Sequence, residues 1–186
     1  MKKIVTTFIM ATGLLFVAQS CGAQKVVVNR EVDSTTDGKM LLGAQTISQF
    51  EKAPYTDWYS KEKEEYQMNA EAIEGLKKEK FKTYTITVFL GTWCEDSHRE
   101  FPRFMRILQA TDYPENKLTI IAVNRKKESP SGEEGLYNIQ RVPTFIVSKY
   151  GKEIGRIIEF PTSGFLEKDL LEIIKKDNSS IKDLFK

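Results

Sequence analysis

The sequence predicts an α/β fold: a central mixed β-sheet flanked by helices on both faces, preceded by a helical extension. Three observations carry this. Residues 83–90 are a run of β-branched and aromatic residues, and Leu118 to Val123 is almost continuously apolar, as a strand covered on both faces is. Between them, residues 95–110 place Phe101, Phe104, Met105 and Leu108 at helical spacing. After them come strands over 144–148 and 153–159 about the turn signal Tyr150-Gly151-Lys152. An amphipathic helix over 165–176 closes the chain, with Phe165, Leu166, Leu170, Ile173 and Ile174 apolar. The order β-α-β followed by β-β-α is one that builds a mixed sheet.

The elements before and between these follow in order. Residues 1–20 have the parts of an export signal: Lys2 and Lys3, then about eleven largely apolar residues from Phe8 to Ala18, too few to span a bilayer. The segment Ala18-Gln19-Ser20-Cys21-Gly22 then resembles a bacterial lipoprotein signal. That resemblance implies cleavage before Cys21, acylation of its thiol and new amine, and an anchor of several chains. Ala18 stands where most lipoproteins carry Leu, and the alternative is a secretory signal cut near Ala23 that leaves a soluble exported protein. Residues 21–40 are polar apart from Val26, Val27 and Val28 and contain Asp33-Ser34-Thr35-Thr36-Asp37-Gly38, so they are expected to be a flexible tether with one short strand at its start. Residues 41–80 are expected to be the helical extension, with Tyr59, Tyr66, Ala70, Ile73 and Leu76 on one face. Residues 81–178 then form the main domain, with a charged loop over 124–135 and a short helix over 136–140, and 179–186 form a C-terminal tail.

Composition narrows the function. The 186 residues suit one domain with additions, and at 40% hydrophobic residues the chain can bury a core. Removing Lys2 and Lys3 from the 28 basic residues balances the 26 acidic ones, and a neutral chain lacks the basic footprint of a nucleic-acid binder. Two cysteines cannot build a disulfide framework or a four-cysteine zinc site, and a single histidine leaves metal and Ser–His–Asp sites short of parts. No cofactor or metal is expected.

Chemistry concentrates at Leu90-Gly91-Thr92-Trp93-Cys94-Glu95-Asp96-Ser97-His98. A cysteine at the first turn of a helix after a buried strand meets unpaired N–H groups and the positive end of the helix dipole, both of which favour a thiolate. The thiolate is the form that attacks disulfides. Glu95 and Asp96 oppose it, and His98 is expected either to share the face of Cys94 or to be an exposed helix residue. Arg99, Arg103 and Arg106 recur along the helix as a solvated face or as cations for an acidic partner.

Four features in order resemble the thioredoxin family over residues 80–178: Trp93-Cys94, Pro102 within the helix, Val142-Pro143-Thr144-Phe145 as the cis-proline loop, and Gly151 in the last hairpin. Trp-Cys-x-Asp also resembles a branch of exported bacterial thioredoxin-like proteins. The resemblance implies the thioredoxin fold, Cys94 as nucleophile, and a substrate groove formed by Trp93, Val142 and Pro143. Two positions depart from it. Ser97 stands where the family has its second cysteine, and Val88 stands where it has a buried acid serving that cysteine. The losses agree, because the acid has no task once the thiol is gone.

The expected function follows by subtraction. Cys94 can form a mixed disulfide that Ser97 cannot resolve, although the Ser97 hydroxyl can donate to the thiolate. Partners would be protein thiols and disulfides of the envelope, an external thiol reductant, and a membrane reached through Cys21. Two rivals stand beside this reading. One is a redox-inactive binding or chaperone module using the cis-proline groove. The other is a single-cysteine peroxidase, with Thr92 two residues before Cys94.

Overall fold

The computed structural model describes residues 27–183. Cys21 and the export signal lie outside them. Six strands form one sheet in the order β1-β2-β4-β3-β5-β6: β1 Arg30–Ser34, β2 Gly38–Gln45, β3 Thr85–Leu90, β4 Leu118–Ala122, β5 Thr144–Lys149 and β6 Lys152–Ile158. Only the β3–β4 pair is parallel. The helices are α1 Ile47–Phe50, α2 Thr56–Glu65, α3 Ala70–Lys78, α4 Glu95–Ala110, α5 Glu133–Leu136 and α6 Leu166–Asp183. From β3 onward this is the thioredoxin fold.

Side-chain alternation along the strands separates two cores. Val88, Leu90, Ile120, Ala122, Phe145 and Val147 face one way; Phe89, Ile121, Val123 and Ile146 face the other. The faces are unequally covered. Each of α2, α3, α4 and α6 contributes buried apolar residues to the first cluster, including Tyr59, Leu76, Phe101, Phe104, Leu170 and Ile174. The second face is closed by Ile139, Val142 and half-buried Trp93, Cys94 and Tyr137. So the long helices stack on one side, and the functional loops themselves cover the other.

Several expected boundaries change. Residues 30–40 are not a tether: β1 and β2 make a hairpin, and β2 pairs antiparallel with β4, so the hairpin extends the sheet. The polar cluster that suggested a linker is its turn, where Ser34 Oγ accepts from the Asp37 amide at 3.2 Å and Gly38 takes φ +69°. β1 is an outer strand, so Arg30, Glu31 and Asp33 are compatible with it where an apolar pattern would be absent. The extension is therefore a β-hairpin followed by α1, α2 and α3, and its helical stretch breaks between Glu65 and Ala70, where Asn69 caps α3 by accepting from the Ala72 amide at 2.9 Å. The short helix lies at Glu133–Leu136, earlier than 136–140, because Ser129 Oγ accepts from the Glu133 amide at 3.0 Å and starts it there. The last helix runs through Asp183, taking in most of the expected tail. Among the described residues no helix is long and apolar enough to cross a membrane.

Candidate functional site

The site begins where β3 leaves the sheet. Gly91 is needed at this exit, because a Cβ there would stand 2.5–2.9 Å from the indole of Trp93. The chain turns through Thr92 and Trp93, closed by the Cys94 amide donating to the Gly91 carbonyl at 3.0 Å. Cys94 is the N-cap of α4, with extended backbone angles, and its carbonyl accepts the amide of His98 at 3.0 Å. Its half-buried thiol donates to the Val142 carbonyl at 3.3 Å. The Val142–Pro143 peptide is cis. The structure thus brings together Trp93, Cys94, Val142 and Pro143, which are far apart in sequence, through the antiparallel neighbours β3 and β5.

Ser97 is placed differently from expectation. It is fully buried and accepts from the Gly91 amide at 3.2 Å, and among the described residues no hydrogen bond joins it to Cys94. It holds the turn from beneath. Val88 is fully buried within the larger apolar cluster, where a lone carboxylate would have no partner. The hydroxyl of buried Thr92 accepts from the Leu41 amide at 3.2 Å and makes no hydrogen bond to Cys94. The arginines of α4 are mostly engaged within the fold. Arg99 pairs with Asp96 and Glu100, Arg103 with Glu62 and Glu100, and Arg106 donates to the Lys63 carbonyl.

His98 is half-buried, not exposed. Its ring lies against Trp58 of α2, stacked at 4.4 Å between centroids, and Nε2 sits 2.7 Å from the Thr92 carbonyl. A carbonyl only accepts, so Nε2 carries the proton and donates. His98 therefore ties the turn before Cys94 to the N-terminal extension.

Arg125, which sequence reasoning passed over, is the other addition. It lies just after β4, its guanidinium 5.1 Å from the centre of the Trp93 ring. Its Nε donates to Asp37 Oδ2 at 2.9 Å, and Nη2 donates to Oδ1 as well. Trp93 Nε1 donates to the Val123 carbonyl at 2.8 Å, which holds the indole under the arginine. The Arg125 guanidinium keeps the Asp37 carboxyl well below the usual carboxylate range. Asp37 in turn raises Arg125 above its ordinary value. The signal available in sequence was only a cation in a charged loop; its partner is 88 residues away.

Among the described residues, no three His, Cys, Asp or Glu side chains converge as a metal site would need.

No protein-family model matches the chain, and no curated protein matches it in sequence. Solved structures superpose on it. A protein of unknown function from Pseudomonas aeruginosa superposes with a TM-score of 0.53 at 16% identity, over 68% of this chain and 87% of its own. An HIV epitope scaffold gives 0.52 at 18% identity, over 67% and 87%. Mitochondrial thioredoxin 3 from Saccharomyces cerevisiae gives 0.36 at 25% identity, over 53% and 87%. The first two likenesses are of fold alone and carry no activity.

Proposed function

We propose that this chain is a thiol–disulfide exchange protein of the bacterial cell envelope that works through one thiol, as a disulfide reductase or isomerase. The observation that carries the reading is the placement of Cys94: half-exposed, at the N-cap of α4, its sulfur against the Val142 carbonyl beside Pro143. Unpaired amides of the first helical turn and the helix dipole favour charge on that sulfur.

The chemistry is exchange. The Cys94 thiolate attacks one sulfur of a substrate disulfide; the new Cys94–substrate bond forms as the old S–S bond breaks, and the other sulfur leaves with the electron pair. Ser97 cannot complete a second exchange within the chain. The mixed disulfide is released in one of two ways: two external thiols act in succession, the first expelling the reduced substrate from Cys94 and the second expelling Cys94, so that the two leave joined as a disulfide; or a different thiol of the substrate attacks its own Cys94-bound sulfur, which frees Cys94 and leaves the substrate with a new disulfide pairing. Trp93, Val142 and Pro143 form the walls against which the substrate chain lies. Cys21 is the lipid attachment point. Asn29 bonds into the sheet edge through the Ala44 carbonyl, so seven residues separate anchor from domain, a reach of under about 30 Å.

Trapping tests this. Protein taken from envelopes under acid quench is expected to carry mixed disulfides on Cys94, resolved on non-reducing gels and by mass spectrometry, and Cys94→Ala should remove them all. A thiol that stays unmodified in the envelope and resists alkylation between about pH 6 and 9 would sink the proposal. An envelope phenotype that survives Cys94→Ala would instead favour a binding module.

A further inference from the structure

One rim of the site carries cations that the exchange chemistry does not use. Arg125 lies over one region of the Trp93 ring, and the Lys127 ammonium stands 5.8 Å from the same ring centre. Lys127 takes a left-handed backbone conformation, φ +66°, in the tight loop where its amide donates to the Asn124 carbonyl at 2.8 Å. Its ammonium meets no carboxylate among the described residues. Arg125 uses Nε and Nη2 on Asp37, while Nη1 makes no hydrogen bond among the described residues, and the side chain is 58% exposed. The acids nearby are accounted for. Asp37 is committed to Arg125 and Asp96 is paired with Arg99, while Glu128, which accepts from Asn124, and Glu95 form no ion pair with Arg125 or Lys127 among the described residues. The Trp93 flank, next to Cys94 in the chain, thus presents two cations, of which only Arg125 has a carboxylate partner among the described residues.

We infer that this flank selects substrates whose reacting sulfur is bordered by carboxylate, with Arg125 and Lys127 as specificity-determining residues and Asp37 as the positioning residue that holds Arg125 over Trp93. The inference rests on the exchange reading above and names its substrate class. A carboxylate fits the free edge of Arg125 and the free ammonium of Lys127, and such an ion pair at a partly exposed rim steers encounter more than it adds affinity. The same chemistry is offered by an acidic stretch around a client cysteine or by a small carboxylate-bearing disulfide.

The experiment uses 2-pyridyl disulfides, whose neutral leaving group reports each attack by Cys94. Three peptides of equal length carry Glu, Gln or Lys on both sides of the activated cysteine, and two small disulfides carry a carboxylate or an amine. Second-order rate constants for the wild-type chain are expected to fall in the order Glu, Gln, Lys, with roughly tenfold between the extremes at low ionic strength. The order should flatten in high salt and reverse in Arg125→Glu with Lys127→Glu. Arg125→Lys should keep it, and Asp37→Asn should weaken it without reversing it. A preference limited to the peptides places the source in acidic clients; one shared by the small disulfides places it in any carboxylate near the sulfur. Equal rates for all three peptides in the wild-type chain, or a preference untouched by charge reversal, would overturn the inference while leaving exchange intact. A thiol inert to every probe would overturn both.

Discussion

The turn that ends in Cys94 is held by a side chain of the helix it begins. His98 donates to the carbonyl two residues before the sulfur while stacked on Trp58. Removing that tie frees the turn, and small displacements of a reacting atom are costly. His98→Ala is therefore expected to change the alkylation rate of Cys94 by on the order of tenfold. His98→Gln, whose amide can still donate, should restore much of it, and measured stability should change far less than the rate. Asp37 gives a pH prediction with a definite sign. Its folded carboxyl is held below its ordinary range by Arg125, so the contribution of the pair is complete above the unfolded value near 3.9 and is lost only as pH falls through the lower folded value. A carboxyl-carbon NMR titration is expected to show Asp37 still ionised at about pH 4, and Arg125→Ala should return its midpoint to the ordinary range.

At the scale of elements, two junctions hold the site in place. The strand-to-helix turn needs Gly91 because the indole occupies the space of its Cβ. Gly91→Ala is expected to destabilise by about 1–3 kcal/mol, as overpacking does, and to alter tryptophan fluorescence as Trp93 is pushed aside. The second junction is Glu167, fully buried in the first turn of α6, which accepts from Tyr66 Oη at 2.8 Å and from the Asn69 amide at 2.5 Å. It fastens the break between α2 and α3 to the last helix. Losing two hydrogen bonds to a charged group, Glu167→Ala should cost roughly 2–4 kcal/mol in urea unfolding, with faster amide exchange in α3. Neither junction is visible as a motif: Gly91 reads only as a turn residue, and Glu167 reads as one more charge in an amphipathic helix.

For the whole molecule, residues 30–78 belong to the site's architecture. The β1–β2 hairpin brings Asp37 to Arg125 and Leu41 to Thr92, and α2 brings Trp58 to His98. Tyr59 and Phe50 pack on Phe101 of the helix that Cys94 begins. A fragment starting at residue 81 would expose the open edge of β4 and this aromatic cluster together. It is expected to lose cooperative unfolding and to bind hydrophobic dye, whereas the chain from residue 27 should unfold in one transition by circular dichroism.

The sequence by itself determined the sheet-building order from residue 83 onward, because buried strands and amphipathic helices leave periodic apolar patterns that neighbours in the chain reveal. It also determined that one thiol, Cys94, stands at a helix start with serine at the position three residues on. Tertiary structure alone decided the hairpin, whose outer strand is charged and leaves no such pattern. It also decided the roles of Arg125, His98, Trp58 and Glu167, because each acts through a partner on another element. Local periodicity records which face of an element is buried; it does not record which distant group that face will meet.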